Sequence, residues 1–194
     1  MGQLGGMFKT TIVPDDYVRL EKFLYNQQNF FRTVWVPSKQ KFGYYSNNHP
    51  EMSAQTLFGT TDYSNVLKNI RIGENLLRDL GVKYVIVPYD SEGEIFLEDR
   101  KYDDKLYKKT LSDVSNISYL EKLDGFGKIG VFEVSNPRGH FWTNSNTAIE
   151  YTQLSPVEYK LILRNARKND LIIFAESYDL GWIASSVSGI KYQV

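Results

Sequence analysis

The fold of this chain is decided by one stretch, Leu76-Leu77-Arg78-Asp79-Leu80-Gly81-Val82-Lys83-Tyr84-Val85-Ile86-Val87-Pro88. The leucines before Gly81 have the spacing of an amphipathic helix. Gly81 is the residue type expected just past a helix C-terminus, because glycine adopts a positive φ at no steric cost. The run from Val82 to Val87 is apolar apart from Lys83, which is typical of a strand buried on both faces, and Pro88 cannot continue it. The stretch therefore predicts a helix, a glycine stop and a buried strand.

The same order of helix, strand and proline occurs earlier in the chain. A helix begins near Pro14, with acidic residues in its first turn and an apolar face at helical spacing. The segment from Arg32 to Val36 then predicts a strand that Pro37 closes. Residues 38–64 predict an irregular segment with a short helix around 52–57, and residues 64–80 predict a helix with Ser64 as its N-cap. Two helix–strand units predict two strands side by side in one sheet.

The remaining sequence changes in character at Asn136-Pro137-Arg138-Gly139, where proline and glycine interrupt the pattern. Before this point, residues 103–115 predict a helix and residues 119–134 predict a hairpin with a glycine turn. After it, short strands alternate with turns, which is typical of a β-sandwich. We therefore predict an α+β fold: residues 1–136 form a small layered α/β domain with a short, partly parallel sheet, and residues 137–194 form an incomplete antiparallel β-sandwich.

Composition excludes several classes of function. The chain has 23 basic and 23 acidic residues, which argues against a general nucleic-acid-binding protein, since such proteins carry a basic excess. It contains no cysteine, so disulfides, thiolate metal sites and a cysteine nucleophile are excluded. No apolar run approaches the roughly 20 residues of a membrane-spanning helix. The start of the chain lacks the features of a secretory signal and looks like a cut end.

A search for catalytic and cofactor motifs gives no constellation. His49 and His140 have no ligand spacing to each other or to a glutamate, and the acidic segment 90–94 does not match a calcium loop. Phosphate-binding loops, dinucleotide fingerprints and nucleophile elbows are absent from the sequence. We therefore predict no catalytic residue, no cofactor and no metal site. Two acids distant in sequence can still form a glycosidase pair, and the first to test are Asp90, Asp124, Glu176 and Asp179.

The best group of binding residues lies near the end of the chain and comprises Glu176, Tyr178, Asp179 and Trp182. Acidic groups beside tyrosine and tryptophan can hold a sugar, because carboxylates accept hydrogen bonds from hydroxyls and an aromatic face packs on the sugar ring. These four residues are therefore the predicted ligand-binding site. A purely structural alternative is a turn in which an acid caps a backbone N–H and the tryptophan packs on the sandwich.

The C-terminal sequence also resembles a known family. The stretches Ser155-Pro156-Val157-Glu158-Tyr159, the run from Asp170 to Trp182, and Val187-Ser188-Gly189-Ile190-Lys191 are similar to the extracytoplasmic C-terminal region of YfhO-like and related GT-C-type membrane glycosyltransferases. The strand Val82–Val87 that follows the leucine-rich helix, and the hairpin that ends at Asn136, fit the same family pattern. There are departures: Leu180 stands where the family has proline, and Ser188 where it has aspartate. The family's membrane helices are missing, which predicts a fragment cut at both ends.

The resemblance implies a place on the extracytoplasmic face of the cell membrane, in a multi-pass protein that assembles glycans of the cell envelope. The parent would be a lipid-linked sugar glycosyltransferase, whose catalytic acids lie in loops that this chain does not contain. The chain itself would be non-catalytic and accessory, with a glycan or a lipid-linked sugar acceptor as its partner and no nucleic acid. Two alternatives stay open: a glycoside-processing enzyme that uses loop carboxylates, and a structural module without a ligand.

Overall fold

The computed structural model describes residues 12–38, 43–89, 104–145, 147–177, 179–186 and 191–193. Internal contacts divide the chain into two compact units, Met1–Gly139 and His140–Val194. This division falls in the same proline- and glycine-containing loop as the predicted boundary after residue 136. The fold is α+β, as predicted: the first unit combines helices with a mixed sheet, and the second consists of antiparallel strand pairs.

The first unit alternates helices and strands. Its helices are α1 (Asp15–Tyr25), α2 (Ala54–Phe58), α3 (Tyr63–Ile72), α4 (Glu74–Asp79) and α5 (Asp104–Ser115). Its strands are β1 (Arg32–Trp35), β2 (Glu51–Ser53), β3 (Val82–Val87), β4 (Leu120–Leu123) and β5 (Gly130–Val134). The strands form one sheet in the order β2-β1-β3-β5-β4, in which β1 is parallel to both β2 and β3, and β5 is antiparallel to both β3 and β4.

Strand β3 is the centre of this sheet and is buried on both faces. Ile86 packs on one face in a cluster with α1, whose Leu20 and Leu24 are buried there. Val85 packs on the other face in a cluster that includes residues of α2, α3, α4 and α5. Both Val85 and Ile86 are fully buried. The prediction of a two-sided buried strand, next to a parallel partner, is confirmed.

The glycine stop is also confirmed. Gly81 has a φ of +71°, and a Cβ at this position would lie 3.0 Å from the backbone oxygen of Arg138. Both observations explain a glycine here, because a side chain would be strained by the backbone and crowded by its neighbour.

Two local predictions were wrong. The helix predicted over residues 64–80 is two helices, because α3 ends at Ile72, α4 begins at Glu74, and Gly73 separates them. The N-cap of α3 is Asp62 rather than Ser64, since the Asp62 carboxylate accepts a hydrogen bond of 2.8 Å from the backbone N–H of Asn65. Strand β2 was not predicted, because three residues at a sheet edge are too few to show a strand periodicity.

The second unit contains three antiparallel strand pairs. Its strands are β6 (Phe141–Thr143), β7 (Ile149–Ser155), β8 (Glu158–Leu163), β9 (Ile172–Phe174), β10 (Ile183–Ser185) and β11 (Lys191–Gln193). The pairs are β6 with β9, β7 with β8, and β10 with β11. Among the described residues of this unit, large apolar side chains are exposed at Leu154, Val157, Leu171, Leu180 and Ile183.

Candidate functional site

Five aromatic rings pack against one another between two strand pairs of the second unit, and we call this group the His140 cluster: His140, Phe141, Tyr151, Tyr159 and Phe174. Phe141 and Phe174 are cross-strand partners in β6 and β9, and their rings stack with centroids 4.5 Å apart. The two tyrosines come from β7 and β8 and contact Phe141 at 5.2 Å each. The cluster thus joins the β6–β9 pair to the β7–β8 pair through contacts between aromatic rings.

His140 lies inside this cluster and holds one of the predicted site residues. It is 3% exposed, and its ring contacts the other four rings at centroid distances of 5.0 to 5.9 Å. Its Nε2 donates a hydrogen bond of 2.8 Å to Oε1 of Glu176. The Glu176 side chain is 32% exposed, so one end of the pair is buried and the other reaches solvent. The histidine therefore anchors a carboxylate at the edge of the cluster.

Trp182 also contacts the His140 cluster, through the ring of Phe174. Its indole meets Phe174 edge-on, with centroids 4.8 Å apart and an interplanar angle of 89°. Phe174 also contacts His140 at 5.0 Å, so the indole and the imidazole that holds Glu176 lie one ring apart. Trp182 is half-buried, and part of its surface stays accessible to solvent. The structure thus brings Trp182 and Glu176 to one aromatic core.

The carboxylate of Asp179 is bonded to the backbone of its own turn instead of being held ready for a ligand. Its Oδ1 accepts a hydrogen bond of 2.6 Å from the backbone N–H of Gly181, and its backbone oxygen accepts one of 3.1 Å from the N–H of Trp182. These bonds fix the turn that presents Trp182, as in the structural alternative considered above. Asp179 therefore positions the tryptophan and adds an exposed negative charge nearby. Tyr178, the fourth predicted residue, lies outside the described residues.

Two other acids, Asp124 and Asp90, are singled out in the sequence as members of a possible glycosidase pair. Asp124 belongs to the first unit, where it lines a small cavity of about 70 Å³ together with Tyr107, Lys122 and Lys128. Asp90 and the acidic segment 90–94 lie outside the described residues. Within the described ranges, no three His, Cys, Asp or Glu side chains are grouped so that they could hold a metal ion.

A further carboxylate, Asp170, has a structural environment. It accepts hydrogen bonds from the backbone N–H of Arg167 at 2.8 Å and from the hydroxyl of Thr147 at 2.7 Å. These bonds stabilise the charged form and lower the pKa of Asp170. Because both donors belong to loops next to β7 and β9, the carboxylate ties these two loops together.

Sequence reasoning singled out Glu176 and Trp182 as candidate residues and did not connect His140 with them. The histidine is 36 residues away from its carboxylate partner, and nothing local in the sequence predicts that pairing. One signal was present: His140 directly precedes an aromatic strand, Phe141-Trp142, where an imidazole is expected to be buried with a partner.

No protein-family model, curated protein or solved structure matches this chain. The resemblance to extracytoplasmic regions of membrane glycosyltransferases therefore stays a prediction that rests on the sequence patterns given above. Across the described residues, no helix combines the length and the apolar character that crossing a bilayer requires.

Proposed function

We propose that this chain is a non-catalytic accessory domain of an extracytoplasmic glycan-assembly membrane protein. In this proposal, the second unit binds a glycan or a lipid-linked sugar acceptor at Trp182 and Glu176, next to the cell membrane. The first unit is a scaffold built on β3. The sequence resemblance motivates the location and the kind of parent protein, and the geometry of the second unit motivates the binding site.

One observation carries the proposal: a half-buried tryptophan and an anchored, partly exposed carboxylate share one aromatic core. Sugar rings have apolar faces rimmed by hydroxyls, so they bind where an aromatic face lies near a fixed hydrogen-bond acceptor. The bond from His140 holds Glu176 in place before a ligand arrives, which reduces the entropy lost on binding. The turn held by Asp179 does the same for Trp182.

The same contacts favour binding over glycoside hydrolysis. A glycosidase needs one carboxyl group as a proton donor and a second as a nucleophile or base, both facing the scissile bond. Here Glu176 accepts a hydrogen bond from His140, and Asp179 accepts one from its own turn. Glu176 and Asp179 therefore both have partners within the protein, and Oδ1 of Asp179 accepts its bond from the backbone of Gly181.

The proposal is tested on a glycan array with the wild-type chain and two tryptophan variants. Trp182→Ala removes the ring that the proposal requires, and Trp142→Ala is the matched control, since Trp142 is also half-buried in the second unit. We expect wild type and the control to bind the same glycans and Trp182→Ala to lose them, because stacking on the indole supplies much of the contact area.

Near-ultraviolet circular dichroism, which reports aromatic packing, checks that each variant is folded. Wild-type protein that binds no glycan, or binding that survives Trp182→Ala in a folded variant, would contradict the proposed site. Release of sugar from a bound glycan would contradict the non-catalytic role.

A further inference from the structure

Strand β8 has an edge that no other described strand pairs with. Among the described residues, β7 and β8 form a sheet of two strands, and both are longer than the other strands of the second unit, which have three residues each. The register of β7 shifts between Gln153 and Ser155, which disrupts further pairing along that strand. In the described part of this unit, β8 therefore offers the longest regular edge for an added strand.

The pairing with β7 determines which backbone groups of β8 point to this edge. The N–H of Arg164 donates a hydrogen bond of 3.5 Å to the backbone oxygen of Ala148, so Arg164 belongs to a hydrogen-bonded pair. Hydrogen-bonded and non-hydrogen-bonded pairs alternate along an antiparallel ladder. Ile162 is therefore also bonded to β7, whereas Leu161 and Leu163 direct their N–H and C=O groups away from β7. These groups are placed to bond a further strand.

The order of side chains makes β8 complementary to a second copy of itself. Glu158 lies three residues before Leu161, and Arg164 lies three residues after it. An antiparallel pair of two β8 strands centred on Leu161 thus places Glu158 of each copy opposite Arg164 of the other, and two-fold symmetry makes the two charge pairs equal. Between them, Lys160 faces Ile162, which is 45% exposed and can pack on the apolar stem of the lysine.

Both charged residues are accessible, and one of them is already held in place. Glu158 and Arg164 lie on the exposed face of β8, whereas Leu161 lies on the other face and is half-buried. The guanidinium of Arg164 donates hydrogen bonds of 2.7 and 3.2 Å to the two carboxylate oxygens of Glu150 across the strand pair. The side chain of Arg164 is still 65% exposed, and its guanidinium has further N–H donors for a second carboxylate.

From this edge we infer that the chain self-associates: β8 pairs antiparallel with β8 of a second copy, centred on Leu161, and the two β7–β8 pairs become one continuous sheet. The N–H of Leu161 in each copy donates to the backbone oxygen of Leu161 in the other, and a Glu158–Arg164 pair forms at each end. One strand pair buries less than a standard interface of about 1,600 Å², so we expect a weak dimer with a dissociation constant of about 10–500 µM. The inference is independent of the proposed glycan binding.

Charge variants of β8 test the inference by sedimentation velocity at chain concentrations from about 10 µM to 1 mM. Glu158→Arg gives both ends of the pair two basic residues, and Arg164→Glu gives both ends two acidic residues. We expect each variant alone to associate about tenfold more weakly than wild type, or weaker still. In an equimolar mixture of the two variants, each end again pairs opposite charges, so association should return to within about threefold of wild type.

A matched control and a folding check accompany these variants. Lys168→Glu makes the same change in charge as Arg164→Glu at an exposed position in the turn after β8, and it should leave association unchanged. Near-ultraviolet circular dichroism verifies that each variant is folded. Recovery in the mixture excludes misfolding as the cause of the single-variant losses, because a misfolded chain would not regain its partner.

Backbone amides report the strand register directly. Hydrogen exchange at Leu161 should slow as the chain concentration rises, because its N–H enters a bond between the two copies. Exchange at Ile162 is the internal control, since its N–H is bonded to β7 in the single chain and should depend much less on concentration.

Three results would overturn the inference. The first is a wild-type chain that stays monomeric up to about 1 mM. The second is a Leu161 amide protected from exchange at every concentration, which would show that another segment of the same chain covers the edge. The third is association that neither charge variant weakens, or a variant mixture that does not associate, since either would place the contact elsewhere. None of these results bears on the glycan site.

Discussion

Replacing the two adjacent residues Val85 and Ile86 by alanine tests whether β3 is a two-sided core strand. Ile86→Ala removes three buried carbons, which corresponds to about 2.4 kcal/mol of transfer free energy, and the cavity raises the expected loss to about 3 kcal/mol. Val85→Ala removes two carbons from the opposite face, and the expected loss is about 2 kcal/mol. Both side chains are fully buried, in two different clusters, so both substitutions should cost stability.

Urea denaturation followed by far-ultraviolet circular dichroism measures these losses as shifts in the midpoint at constant slope. Ile72→Ala is the matched control, because Ile72 is 72% exposed at the end of α3 and should change the free energy of unfolding by less than about 0.5 kcal/mol. A loss near zero for Val85→Ala, beside a full loss for Ile86→Ala, would show that only one face of the strand is covered. That result would refute the central position assigned to β3.

Three other predictions concern the first unit. Burial lowers the pKa of His49. As the pH falls below about 6.5, the unfolded chain therefore binds a proton at this residue that the folded chain does not bind, and the folded state loses stability. Urea midpoints should decrease from pH 8 to pH 5, and the decrease should be steeper in wild type than in His49→Gln. Gly130→Ala should lower the free energy of unfolding by about 1–3 kcal/mol, since its Cβ would lie 2.5 Å from a methyl group of Leu111. The double variant with Leu111→Ala should lose less stability than the sum of the two single variants, because the smaller side chain relieves this contact. Asp62→Ala should lower the free energy of unfolding by about 1 kcal/mol through loss of the α3 cap, whereas Ser64→Ala should change it little, and equal losses would contradict the assignment of the cap.

The sequence was sufficient for the scaffold because its signals there are local and agree with one another. The β-branched run at Val82–Val87, the stop at Gly81 and the proline that follows all point to one strand, and the structure places that strand at the centre of the sheet. The helix break at Gly73 was harder to predict, since the apolar pattern continues through it and glycine is tolerated inside helices at a modest cost.

The candidate site was only partly predictable for a related reason. Glu176 and Trp182 are close in sequence, so their shared turn could be inferred from residue types alone. The residue that anchors the carboxylate, His140, reaches it through the pairing of β6 with β9, which is a long-range contact. The role of Asp179 depends on the direction of its carboxylate within the turn, which the residue type does not determine.

The most direct test of the account follows the indole N–H signals of the protein in ¹H–¹⁵N correlation spectra during titration with a glycan that the array identifies. The chain has three tryptophans, and single Trp→Phe substitutions assign their signals. Trp35 is fully buried in the first unit and serves as the internal reference. The account predicts a saturable shift of the Trp182 signal with an unchanged Trp35 signal. Saturable binding that leaves the Trp182 signal in place would contradict it.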